Sequence, residues 1–112
     1  MTTRYGTPWS YAGATGGITD IANYALAPAQ GGQLKNYLCS LQFSNKSAVA
    51  SEIVVLDGAT VIWRGSAAAN QTLMNEMTFD PPLRGSVNTA MNVAMITTGT
   101  ATIVSAQGFV DN

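Results

Sequence analysis

The sequence contains no histidine, a single cysteine (Cys39), and charged side chains at only 10% of its 112 positions. Without histidine, the commonest general base and the commonest transition-metal ligand are missing. No Ser-His-Asp or Cys-His arrangement can be assembled, and one cysteine without histidine excludes a conventional zinc site. One cysteine also excludes an intrachain disulfide framework. The carboxylates Asp20, Glu52, Asp57, Glu76, Asp80 and Asp111 are dispersed. No two of them form a local pair of the kind glycoside cleavage uses, and no loop gathers the oxygen ligands that calcium requires. The glycine-rich stretch Gly13-Ala14-Thr15-Gly16-Gly17 lacks the preceding strand, following lysine and helix start of a phosphate cradle. The expectation is a protein that is not an enzyme and uses no cofactor and no metal.

The basic residues Arg4, Lys35, Lys46, Arg64 and Arg84 are equally scattered. A nucleic-acid surface needs them clustered, so no nucleic-acid partner is expected. The run from Ser86 to Val110 holds no charge, but its many Asn and Thr residues make it too polar for a membrane span. The first residues show no basic segment followed by an apolar one, so no secretory signal is expected. The sequons Asn45-Lys46-Ser47 and Asn70-Gln71-Thr72 therefore read as chance matches.

What is present is apolar and neutral-polar: 46% hydrophobic residues, with Thr, Ser, Asn, Gln, Gly and Ala where charges usually stand. Soluble domains are about one-quarter charged, and surfaces designed for solubility keep about 25–35% charge. A surface without it suits a protein that is covered in its working state.

Residues 1–17 are broken by Gly6, Pro8, Gly13, Gly16 and Gly17 and read as an extended N-terminal arm outside any regular element. The arm nonetheless carries Tyr5, Trp9 and Tyr11, residue types enriched at interfaces. They dock either on a partner or on their own core. Residues 18–112 read as one β-sandwich domain. A first strand spans about Ile18 to Leu26. A second, Leu34 to Asn45, alternates with period two, placing Tyr37, Cys39, Leu41 and Phe43 on one face. Met74 to Phe79 is a strand that Asp80-Pro81-Pro82 stops, because proline cannot donate to a ladder. Val87 to Thr97, with Met91, Val93 and Met95 on one face and Ala90, Ala94 and Ile96 on the other, and Thr100 to Ala106 follow, joined by a turn at Thr97-Thr98-Gly99.

The strongest local signal is the segment Val54 to Arg64, where Asp57-Gly58 separates two β-branched runs as in a type I′ hairpin. With those two residues as the turn centre, Leu56 faces Ala59, Val54 faces Val61 and Glu52 faces Trp63 on one side. Val55 faces Thr60 and Ile53 faces Ile62 on the other. Both sides are apolar, which implies cover on both, from the arm or from another chain. The candidate partner-binding residues are thus Tyr5, Trp9 and Tyr11 in the arm and Ile53, Ile62 and Trp63 in the hairpin. Seven to eight short strands at regular spacing predict an all-β sandwich or jelly roll of antiparallel strands.

Three segments together, IVVLDGATVIWRG (Ile53–Gly65), FDPPLRGSVNTAMNVAM (Phe79–Met95) and AQGF (Ala106–Phe109), resemble small jelly-roll virion proteins of tailed bacteriophages, of the head-decoration or cement type. The likeness covers roughly residues 34–110. It implies a homotrimer bound to the major capsid protein on the outside of the shell, with the arm reaching across. It also implies a virion location after synthesis in the host cytoplasm. No binding residue transfers from it. A tail, neck or fibre component is an alternative, as is a carbohydrate-binding sandwich presenting Trp63.

Overall fold

The computed structural model describes residues 6–112. Tyr5, the first arm aromatic, lies outside the described residues. The strands are β1 (Thr7–Ala12), β2 (Tyr24–Ala27), β3 (Lys35–Asn45), β4 (Ser51–Asp57), β5 (Thr60–Ala67), β6 (Asn75–Arg84), β7 (Met91–Met95) and β8 (Thr102–Asp111). They form two antiparallel four-stranded sheets, ordered β1-β8-β3-β6 and β2-β7-β4-β5. The pairs nest: β4 with β5, β3 with β6, β2 with β7, β1 with β8. The fold is therefore a long ribbon with the β4–β5 hairpin at its tip, rolled so that each half of the pairs lands in a different sheet. This is the jelly-roll order, and the all-β sandwich expected from the strand spacing is what forms.

The core lies between the sheets. Leu38, Leu41, Phe43, Val104 and Ala106 from the first sheet meet Ile53, Val55, Met91, Val93 and Met95 from the second. The alternation in β7 comes out as read, with Met91, Val93 and Met95 inward and Ala94 on the opposite face.

Three sequence expectations are corrected. The first is the irregular arm. Residues 7–12 are a strand, paired with β8 from Thr7↔Val110 to Ala12↔Ser105. Trp9 and Tyr11 lie on its inward face against the core. The second is the face of β3. Cys39 is an unmatched residue between Leu38 and Ser40 in both of that strand's pairings. One extra residue reverses which side chains point inward. Asn36 and Leu38 are buried before it, and Leu41, Phe43 and Asn45 after it. Tyr37 is thereby sent to the outer face.

The third is the hairpin register. Asp57 pairs with Thr60, so Gly58 and Ala59 make the turn. Gly58 has φ 62° while Ala59 is not left-handed, which is the type II′ pattern of glycine at the first central position. A bulge at Ile62 then sets Leu56 opposite Val61 and Val55 opposite Trp63. The Asp57 carboxylate instead holds the β6–β7 loop, accepting from the Ser86 amide at 2.9 Å and from the Ser86 hydroxyl.

Two buried asparagines fix the ends of β3. Asn36 donates to the carbonyls of Pro28 (2.9 Å) and Thr89 (3.2 Å). Asn45 donates to the carbonyl of Val49 (2.7 Å) and accepts from the amides of Ser47 and Ala101 (both 3.1 Å). Buried amides satisfied this fully tie loops together without leaving an unpaired polar group. Asn45 is 0% exposed, so its sequon is closed to glycosylation.

Candidate functional site: a groove on the outer face of the first sheet

The pairing of β6 with β3 is interrupted where the prolines stand. Leu38 pairs with Leu83 and Ser40 with Thr78. One residue of β3, Cys39, is thus spanned by four of β6: Phe79, Asp80, Pro81 and Pro82. Proline supplies no ladder donor, and two in succession force the strand away from its neighbour. The excursion is anchored at both ends, since Phe79 and Leu83 turn back to pack on the core. Phe79 meets the Trp63 ring edge-to-face, with centroids 5.7 Å apart at 82°. Pro81 and Pro82 remain outside, the first exposed and the second half-buried. Their missing ladder donors imply that the strand ends at these prolines, but β6 continues through Leu83 to Arg84.

The floor of the resulting groove comes from the Cys39 bulge. Tyr37, turned outward, is the cross-strand partner of Phe109. Their rings stack with centroids 4.7 Å apart and planes within 5°. The Tyr37 hydroxyl donates to the Asn112 carbonyl at 3.2 Å. Beneath them, on the inward face, the Trp9 ring lies across Gly108. A side chain at Gly108 would strike the Tyr37 carbonyl and the Trp9 ring. The Trp9 indole donates to the Phe109 carbonyl at 3.2 Å. The groove is lined by Tyr37, Pro81, Pro82, Arg84 and Phe109 and encloses about 420 Å³. Arg84 is its one charged group. The single ion pair among the described residues is Arg64 with Glu52 at 3.2 Å, so Arg84 has no carboxylate against it.

The residues expected at a contact surface are distributed otherwise. Ile53 is 0% exposed in the core. Its side chain cannot reach a partner, which corrects that assignment. Ile62 and Trp63 are half-buried against the core, and Trp63 fills the gap between the sheets beside Phe43 (centroids 6.4 Å apart) and Phe79. Trp9 and Tyr11 dock on their own domain. The bulge explains why Ile62 and Trp63, adjacent in sequence, both face inward. The outward hairpin residues Val54 and Leu56 are buried with Ala94 within the sheet, and the arm does not cover them because β1 belongs to the other sheet.

Cys39, at the bulge, is half-buried, and desolvation raises its thiol pKa. This favours the inert thiol over the nucleophilic thiolate. Among the described residues no group of three His, Cys, Asp or Glu side chains comes together, and no helix is long and apolar enough to cross a membrane.

No protein-family model matches the chain, and no curated protein matches it. Among solved structures, it is similar to the structure of infectious bursal disease virus Gx strain. The match has 13% identity and a TM-score of 0.29, and covers 95% of this chain and 29% of that one. The chain thus spans less than a third of the chain it matches. At this TM-score the likeness carries no functional weight.

Proposed function

We propose that this chain is a structural virion protein, a head-decoration protein that binds the outside of an assembled shell as a homotrimer and strengthens it. The observation that carries this reading is the groove. It is a preformed, largely apolar concavity lined by the stacked Tyr37–Phe109 pair and two prolines, with one cation in its lining. Such a surface is suited to holding another polypeptide. Its wall, Pro81, Pro82 and Arg84, lies in the segment on which the resemblance to phage decoration proteins rests, and the strand order is a jelly roll. The carbohydrate reading loses its support, because Trp63 is packed between Phe43 and Phe79 and offers no open platform.

The test has two parts. Light scattering of the purified chain reads its native mass, and sedimentation with phage heads reads attachment. The expected outcome is a trimer that pellets with assembled heads and not with unassembled capsid subunits. A monomer that ignores heads overturns the proposal.

A further inference from the structure

We infer that the groove takes an extended segment of the partner chain in which a proline or aromatic residue stands next to a carboxylate. This rests on the reading that the chain attaches to another polypeptide, and it names what that polypeptide presents.

Three features of the lining select the ligand. The first is the floor. Tyr37, half-buried, stacks with parallel rings on the buried Phe109 and lines the concavity, so a proline or aromatic ring entering it packs against the Tyr37 side chain. The second is the wall. Pro81 and Pro82 have no backbone N–H, and the Tyr37 hydroxyl is already donated to Asn112. Little remains to satisfy the hydroxyls of a sugar, whose recognition needs convergent polar groups. Aromatic-lined grooves flanked by rigid apolar walls instead suit extended, proline-containing segments, which lose little entropy on binding. The third is charge. Arg84 is exposed at the rim and, among the described residues, has no ion-pair partner. A guanidinium presents paired donors that match a carboxylate. The ring site and the cation line one concavity of about 420 Å³, so both are met by neighbouring residues of one segment.

The probe is an acetylated, amidated peptide Gly-Pro-Tyr-Glu-Gly, compared with its Gly-Pro-Tyr-Gln-Gly counterpart. Each is titrated into the full-length, ¹⁵N-labelled chain. The amides of Tyr37, Arg84 and Phe109 are expected to shift, with the glutamate peptide binding about three-fold tighter, the size of an exposed charge pair. Arg84→Gln, at an exposed position, should leave the fold intact and erase the difference between the two peptides. Tyr37→Ala should abolish the shifts. Shifts that avoid the groove, or equal affinity for both peptides on the native chain, overturn the inference. So does a groove that closes only when the chain self-associates, seen as Tyr37→Ala converting a trimer to a monomer with no peptide response. Sedimentation of the Arg84→Gln chain with heads separates the two proposals. Undiminished attachment together with a silent peptide titration sinks the groove ligand and leaves the decoration reading standing. Failure of the native chain to attach sinks that reading, while the titration still reports on the groove.

Discussion

The two outer faces of the sandwich both carry apolar side chains, yet only one of them carries the groove lined by Tyr37, Pro81, Pro82, Arg84 and Phe109. On the β2-β7-β4-β5 sheet, Val54 and Leu56 are 3% and 7% exposed beside Ala94. They lie on the outer face and are sealed by in-sheet neighbours, with the Arg64–Glu52 pair nearby at the surface. On the β1-β8-β3-β6 sheet, Phe109 is as buried, at 8%, but the half-buried Tyr37 stacked on it borders a groove made by the proline excursion of β6. Apolar composition on both sides of a strand is thus no guide to where a partner sits. What differs is the size of the break: β5 gains one residue at Ile62, whereas β6 leaves its neighbour for four residues, Phe79 to Pro82.

The comparison can be broken by substitution. The largest effect belongs to the sealed face. Leu56→Ala should cost about 2–3 kcal/mol, as truncation of a buried leucine does, read by denaturant unfolding, with attachment of the folded fraction unchanged. A loss of attachment at full stability would make this face the contact surface after all. Next comes the hairpin that carries the face: Gly58→Val puts a β-branched residue at φ 62° and should cost about 2 kcal/mol of backbone strain. On the open face, Tyr37→Ala should cost only about 1 kcal/mol, the scale of a stacked aromatic pair, while reducing attachment to heads below detection. The smallest effect is expected for Arg64→Ala. It removes an exposed ion pair and should change stability by less than about 0.5 kcal/mol without touching attachment.

The arm shows how far the sequence could be read. Aromatics at positions 9 and 11 in a glycine-broken segment said correctly that the segment docks. They could not say on what, because the pairing of β1 with β8 joins residues that lie at opposite ends of the sequence. The alternation of β7 was legible because that strand has no bulge, and side chains alone then report the inward face. In β3 the same alternation misled. The extra residue at Cys39 is visible only against its partner strands, where Leu38 and Ser40 are matched without it. The hairpin was legible as a hairpin, but its turn centre shifted by one residue, and the bulge at Ile62 moved Trp63 opposite Val55. The groove was the least visible feature. Pro81-Pro82 carried the right local message, a broken ladder, but Phe79 and Leu83 on either side re-anchor the strand so that the break becomes a wall. A doublet of prolines flanked at close spacing by core-type residues was the signal that could have found it.

The nested pairing has a temporal side. The Trp9 indole donates to a carbonyl 100 residues further along the chain, and β8 is the strand that joins β1 to β3. During synthesis the β4–β5 hairpin can assemble as soon as it is made. The sheet that bears the groove cannot close until β8 has left the ribosome. Closure over such distances is slow, on the order of milliseconds to seconds for non-local β topologies. The aromatic pair beside Arg84 is therefore completed only once β8 is in place, and a chain without β8 presents no groove for a partner to bind.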